Sequence, residues 1–394
     1  MRSLAIHGAT RRWLTKLHRW SGLVIMACML VAAATGTWLV FRAEMDRWVN
    51  PHLRVVHPGS ALLPLGAIVE RVASGFPNSL THTLILQEGP EDSLGVYLEA
   101  RDGGELEFDQ VFVDPYTGEI LGQRSTTHLV FAKEYLDPII DRLHYSLLIG
   151  GGWGLWLMGI VAGVWLLTGF VGLALAWPRP WIRMSGWFPV LSARLNRGSY
   201  QANYQSHRAV GVWFQPVLIL LAFTSFYQNL PQFVTPIVNA VSPLARRPVG
   251  APLAPGATTI SPDQAIDSLA TRFPLAKPSS IGFDRANSRY SILFRLPGDL
   301  SPQGDNWALV DLGTGDMITT LVAREASAGD IFLQWIFPLH TGTAFGLPGR
   351  IVIALAGVGL IALISSGFYV WLVKWRMRRR RSRARNRRRR EAWS

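Results

Sequence analysis

LTKLHRWSGLVIMACMLV, residues 14–31, sets a histidine and an arginine directly before a long apolar run, and YQSHRAVGVWFQPVLILLAF, residues 204–223, does the same. Windows free of Asp, Glu, Lys and Arg and long enough to cross a bilayer, which takes about 20 apolar residues, lie at 20–41, 153–177, 210–230 and 351–373. The chain reads as a polytopic membrane protein. The repeated doorstep of His18-Arg19 and His207-Arg208 asks what those side chains do there.

The net charge of +13 is concentrated in one place: residues 374–390 hold eleven Arg and one Lys without an acid, and the rest is close to neutral. A basic run directly after a span reads as a cytoplasmic stop and a contact for anionic lipids, not as a nucleic-acid site. Residues 1–19 carry five bases and no acid, and 178–206 carry four bases and no acid. By contrast 42–143 has sixteen acids against eight bases, and 229–339 nine against eight. The positive-inside rule then places both termini and the middle loop in the cytoplasm. The expected localisation is the inner membrane of a bacterium, with the two long segments in the periplasm. TRRWLTK at 10–16 looks like a twin-arginine signal, but its 22-residue apolar run exceeds the roughly 7–15 of a signal peptide and reads as an uncleaved span. The only cysteine, Cys28, lies inside that span, so no disulfide framework or thiolate metal site is expected.

An internal repeat organises the chain. VFVDPYTGEILGQ in the first half answers ALVDLGTGDMITT in the second; His144 follows Asp114 by thirty residues, and His340 follows Asp311 by twenty-nine. Each of these histidines precedes a glycine-rich stretch, IGGGWG or FGLPG, and a span ending LLTGFVGLALAWPR or LISSGFYVWLVKWR. Each half is thus a span, an outer segment and a second span, a parallel repeat whose axis runs along the membrane normal. The expected fold is a four-helix transmembrane bundle carrying two periplasmic α+β domains. Its divisions are an N-terminus 1–19, spans 20–41, 144–177, 207–230 and 340–373, outer domains 42–143 and 231–339, a cytoplasmic loop 178–206 and a basic tail 374–394. In the outer domains, LGAIVERVASGFP and SPDQAIDSLATRFP read as helices, and LGVYLEA, FDQVFVD, ILGQ, RYSILFRL, NWALVDL and MITTLV as strands around tight turns. Residues 246–259 read as a linker.

Four of the nine histidines occupy equivalent places. His18 and His207 sit at the cytoplasmic ends of spans, His144 and His340 at the outer ends, and the repeat axis makes two facing pairs. Two imidazoles facing across a bundle can hold a haem iron from both sides. Arg19, Arg208 and, near the outer pair, Arg350 are candidate partners for propionates, because guanidinium binds carboxylates bidentately. Each residue also has a plainer reading, since His-Arg before a span satisfies the positive-inside rule and a repeat copies residues that merely fold. Trp153, Trp156, Trp165, Trp177, Trp213 and Trp371 read chiefly as interfacial belts. Thr35-Gly36, Thr168-Gly169 and Ser366-Gly367 read as close-packing positions, and span 3 has Thr224-Ser225 instead. Nucleotide-binding glycine motifs, CxxCH and HExxH are absent.

KLHRWSGL before a span with Thr-Gly, VDPYTGEI, LHYSLLIGGGWG and LTGF…WPR resemble the PepSY-associated transmembrane family over nearly the whole chain, most of all its dihaem ferric-siderophore reductases of the ferrioxamine type. The resemblance implies PepSY-like periplasmic domains and two b-type haems ligated by His18 and His207 on the cytoplasmic side and His144 and His340 on the periplasmic side. It implies reduction of a ferric siderophore to release Fe(II), with a cytoplasmic reductase or a quinol as donor and no catalytic acid or base. Phe131, Tyr135, Trp335 and Phe337 are the candidate substrate-pocket aromatics, with core packing as the other reading. Two rival functions remain: a non-catalytic PepSY module, binding or peptidase-regulating, anchored by its spans, and a transporter or proton path. The second would need carboxylates inside the spans, and there are none.

Overall fold

The structure, a computed structural model, describes residues 8–391 apart from 179–183, 195, 197, 253–255, 257, 300, 302 and 303. In chain order the helices are α1 (Gly8–Leu39), α2 (Arg42–Val49), α3 (Pro51–Arg54), α4 (Leu65–Gly75), α5 (Leu136–Ser146), α6 (Trp153–Ala176), α7 (Met184–Leu191), α8 (Ser199–Asn229), α9 (Pro231–Val241), α10 (Pro262–Arg272), α11 (Ala328–Thr341) and α12 (Gly346–Glu391). The strands are β1 (Ser79–Ile85), β2 (Leu94–Ala100), β3 (Gln110–Val113), β4 (Ile120–Arg124), β5 (Lys277–Asp284), β6 (Arg289–Arg295), β7 (Asn306–Asp311) and β8 (Met317–Leu321). They form two compact units. One takes the described residues of 1–40, 143–231 and 351–394, the other 41–142 and 232–350.

Four helices of the first unit are long and apolar enough to cross a membrane. All four supply its core: Ile25, Met29 and Ala33 from α1, Val161 from α6, Leu218 and Leu221 from α8, and Ala356 and Leu360 from α12. Most of their remaining surface is apolar and exposed, as in Val24 (78%) and Leu167 (67%), which is stable only against lipid. The span expected at 144–177 is two helices. His144 lies near the end of α5, and the chain turns through Leu147 and Leu148, both with positive φ (53° and 61°), before α6 begins at Trp153. Gly154 permits that turn, since a Cβ there would stand 2.3 Å from the Ser146 carbonyl oxygen. The fourth span likewise starts at Gly346 instead of 340, and its helix runs on through the basic tail to Glu391.

The second unit is one antiparallel eight-stranded sheet in the order β4-β3-β2-β1-β5-β6-β7-β8. Both segments expected as outer domains contribute to it. Each half supplies a four-stranded meander, and β1 pairs with β5, Leu84 opposite Ile281, so the meanders share one sheet. One core runs through both. Ile68 and Val72 of α4 and Ala265 and Leu269 of α10 cover Leu84, Val96, Ile281, Ile292 and Phe294, with almost no exposure for any of them. Left apart, β1 and β5 would each be a free edge, which a soluble segment must block or pair.

A second tie joins the halves. The backbone N–H groups of Leu65 and Gly66, at the open start of α4, donate to the two carboxylate oxygens of Asp263 at 2.7 and 2.8 Å. Pro64 has no side chain able to cap that helix, so a residue of α10 from the other half supplies the acceptors. The start of α10 is closed locally by the Ser261/Gln264 capping box. Replacing Asp263 with alanine strands two donors and is expected to cost about 1–2 kcal/mol. Chemical unfolding of the solubilised protein would show it as a lowered midpoint, and an unchanged midpoint would mean that water satisfies α4 equally well.

Candidate functional site

α1 carries Arg11, Thr15, His18, Gly22, Ile25 and Met29 at spacings of three and four, so all six lie on one face. That face, with parts of α6, α8 and α12, encloses a cavity of about 430 Å³. Its walls are apolar where Ile25, Met29, Trp165, Leu218, Leu360 and Phe368 contribute, and cationic where Arg11, Arg19, Arg208, Lys374 and Arg378 do. His18 and His207 both line it, their ring centroids 6.2 Å apart and their planes inclined by 72°. The structure therefore brings this expected pair together.

The two rings are held the same way. His18 Nδ1 lies 3.2 Å from the Thr168 carbonyl oxygen on α6. His207 Nδ1 lies 2.9 Å from the Leu363 carbonyl oxygen on α12, with Ser366 Oγ at 3.3 Å. A carbonyl oxygen can only accept, so in each neutral ring Nδ1 carries the proton and Nε2 keeps its lone pair. His144 shares the arrangement, its Nδ1 3.0 Å from both the Ala32 carbonyl oxygen and Thr35 Oγ1 on α1. A backbone acceptor on the far nitrogen is what orients a metal-ligating histidine.

Glycines make room for all three rings. A Cβ at Gly172, Gly367 or Gly36 would stand 3.0, 3.0 or 2.8 Å from the Cε1 of His18, His207 or His144 respectively. Thr35-Gly36 and Ser366-Gly367, expected to be close-packing pairs, thus pack against imidazoles in particular. At Thr168-Gly169 the two roles separate, since Thr168 supplies the carbonyl while the cradle is Gly172, one turn further on.

The arginines after the two histidines also match. Arg19 and Arg208 line the cavity, and the Nε of each is buried with no hydrogen-bond partner. Lining side chains offer them no carboxylate, because the helical unit's only acid is Glu391. An apolar slot with two lone-pair imidazoles, unsatisfied guanidinium nitrogens and a cationic rim suits a flat apolar macrocycle bearing a metal and carboxylates. The residues present fit haem.

Other expected site residues lie elsewhere. His340 is in the sheet unit, half-buried in the last turn of α11, and Gly342 in the left-handed conformation ends that helix. Arg350 is in the same unit and its charge is already engaged: Nη2 donates to Glu44 Oε2 at 2.7 Å, and the guanidinium lies 4.8 Å from the Phe41 ring centroid. Phe131 is 95% exposed and Phe337 51%, while Tyr135 and Trp335 are half-buried. Trp165 and Trp371 line the cavity, whereas Trp153 and Trp213 point outward as belt residues do. Sequence reasoning misses Arg11, Gly172, Lys374 and Arg378. The available signal for Arg11 and Lys374 is spacing: each is seven residues, two turns, from His18 or from Gly367.

None of the curated proteins matches the chain. The family model described as the PepSY-associated TM region matches residues 15–374, which takes in most or all of each of the four membrane-crossing helices, the entire sheet unit and every histidine named above. The chain belongs to the PepSY-associated transmembrane family.

Proposed function

We propose that the protein is an inner-membrane, haem b electron-transfer protein that reduces ferric siderophore in the periplasm and releases Fe(II) for uptake. In this reading the halves form a parallel repeat, both termini are cytoplasmic and the sheet unit is periplasmic. The observation that carries it is the facing of His18 and His207 across the cavity, each with Nδ1 tied to a carbonyl. With ring centroids 6.2 Å apart, both imidazoles are near enough for one group between them to be held by both.

His18 and His207 would hold the cytoplasmic-side haem, with Arg19, Arg208 and Arg11 as propionate partners. His144 and His340 would serve the periplasmic-side haem. When bound, haem supplies one-electron transfer at a potential set by its axial ligands and surroundings. The chain's own residues orient the ligands, match the carboxylate charge and exclude water from the slot. Ferrous iron, softer and lower in charge than ferric, is held less tightly by oxygen donors, so reduction loosens the chelate. Likeness to the ferrioxamine-type reductases directs the substrate assignment. The electron donor is a cytoplasmic reductase or a quinol, and anionic lipids neutralise the arginines closest to the membrane.

Oxidised and dithionite-reduced visible spectra of the purified protein, with a pyridine haemochrome count, test the cofactor. Two b-type haems per chain are expected. Anaerobic addition of ferrioxamine to the reduced protein is expected to reoxidise it, with one Fe(II) trapped by ferrozine per electron delivered. A folded, fully expressed and colourless protein would overturn the proposal and leave a membrane-anchored PepSY module.

A further inference from the structure

The segments of the helical unit hold five Lys and Arg in 1–40, five in 143–231 and twelve in 351–394, against the single acid Glu391. Carboxylates of the unit itself can balance at most one of these charges. Haem propionates would engage Arg11, Arg19 and Arg208, and phospholipid headgroups the cations near the boundary. The remainder lies on the end of α12, and its form is informative. α12 has 46 residues, about 69 Å at 1.5 Å per residue, whereas a hydrocarbon core takes about 30 Å. Beyond Trp375 the only apolar residues as far as Glu391 are Met377 and Ala384. A basic helix that lies on a membrane carries an apolar face, and this one presents arginine on every side.

A row of rings leads from that helix end to the cavity. Phe368 and Trp371, which line the cavity, have centroids 5.6 Å apart with planes inclined by 29°. Trp371 and Trp375 follow at 6.2 Å and 21°, and the Arg379 guanidinium lies 4.0 Å from the Trp375 centroid. Trp375 is 38% exposed. Beside it Lys374 lies 5.8 and 6.0 Å from the ring centroids of Tyr200 and Tyr204 on α8.

We propose that the cytoplasmic end of α12, centred on Trp375 and Arg379, is the docking surface for an acidic electron-donor protein of the flavin or iron–sulfur class. This rests on reading the cavity as a haem site. Opposite charge steers such a partner and fixes its orientation, and the stacked rings join the contact to the cavity wall. Each encounter would pass one electron from the reduced donor to the haem that His18 and His207 would hold, with no bond formed or broken. A quinol needs none of this charge.

The full-length protein in phosphatidylcholine nanodiscs, with an acidic flavodoxin as the probe, tests the proposal. Flavodoxin binding is expected at low salt and should weaken at least tenfold between about 50 and 300 mM salt. The variant R376Q/R379Q/R380Q/R383Q should bind at least tenfold more weakly while its haem spectrum and its reduction by dithionite stay unchanged. W375A should retain affinity yet slow reduction by flavodoxin hydroquinone severalfold. No binding at low salt, or equal binding by the quadruple variant, overturns the proposal. So does loss in that variant of association with phosphatidylglycerol vesicles or polyuridylate alone, which would assign the helix to lipid or RNA. The binding measurement needs no cofactor, so failure of docking and failure of the haem reading are separable.

Discussion

Replacing His207 with alanine is expected to remove one of two b-type haems per chain and leave the other's spectrum in place. The ring is held on three sides, by the Leu363 carbonyl, by Ser366 Oγ and by the space over Gly367, and its partner His18 stands 6.2 Å away. Alanine removes the imidazole without adding bulk to a bundle whose core residues lie elsewhere on these helices. Size-exclusion behaviour should therefore be retained. His18→Ala is expected to have the same effect on the same haem, and the double variant no more than either single one, because in the proposed reading both hold one iron. Gly367→Val should reproduce the loss with both histidines present, since even its Cβ would stand 3.0 Å from the imidazole Cε1. Ser366→Ala removes only an orienting contact and should weaken haem retention by roughly 10-fold, the low end for an outer-shell partner. A haemochrome count of two in the His207→Ala protein would sink the assignment.

Replacing Arg124 with alanine is expected to cost the sheet unit about 3–5 kcal/mol, because it strands buried charge. Arg124 and Asp46 have side chains only 4% and 5% exposed and are joined by two hydrogen bonds of 3.0 and 3.1 Å, while Arg124 Nε donates to Gln110 at 2.7 Å. Asp137, also buried, lies 3.5 Å from Arg124 and takes two bonds of 2.8 Å from Arg42. Burial alone would raise the Asp46 carboxyl, but the charge and hydrogen bonds of Arg124, with Asn50 and Arg54, outweigh it and hold Asp46 below the usual carboxylate range. A depressed carboxylate contributes stability above its unfolded value and loses it as pH falls through the lower folded one. The native unit should therefore weaken below about pH 4, with a shallower acid limb in Asp46→Asn. By thermal unfolding, Arg124→Ala should melt roughly 10 °C lower. The pair of Arg47 with Glu91, 37% and 62% exposed, is a control whose removal should cost under about 1 kcal/mol. Equal losses from the two replacements would mean that the buried network is hydrated and adds little.

The strands read from sequence, LGVYLEA, FDQVFVD, ILGQ, RYSILFRL, NWALVDL and MITTLV, are all present, and the capped helix at Pro262 begins where Ser261 signals it. The strands that escaped, β1 and β5, are the two that join the halves. KPSSIGFD contains proline, glycine and two serines, and SLTHTLI mixes small polar residues with its leucines, so neither announces a strand locally. They become strands because each completes the other's hydrogen bonding, and that information is distributed over residues about 200 positions apart. The break after His144 was likewise only half legible. Its glycines were visible, but the left-handed Leu147 and Leu148 are imposed by surrounding structure against local preference.

At the site, sequence alone determined four membrane-crossing segments, the equivalent histidines and the arginines beside two of them, because hydropathy, charge bias and repeats are properties of residues in order. Only the tertiary structure decided which atoms meet. It set His18 against His207, turned each Nδ1 to a carbonyl on another helix, placed Gly172 and not Gly169 under a ring, and gave Arg350 to Glu44. Those outcomes depend on which helix faces which and in what rotation. That is settled by packing many side chains at once, and no short stretch of the chain encodes it.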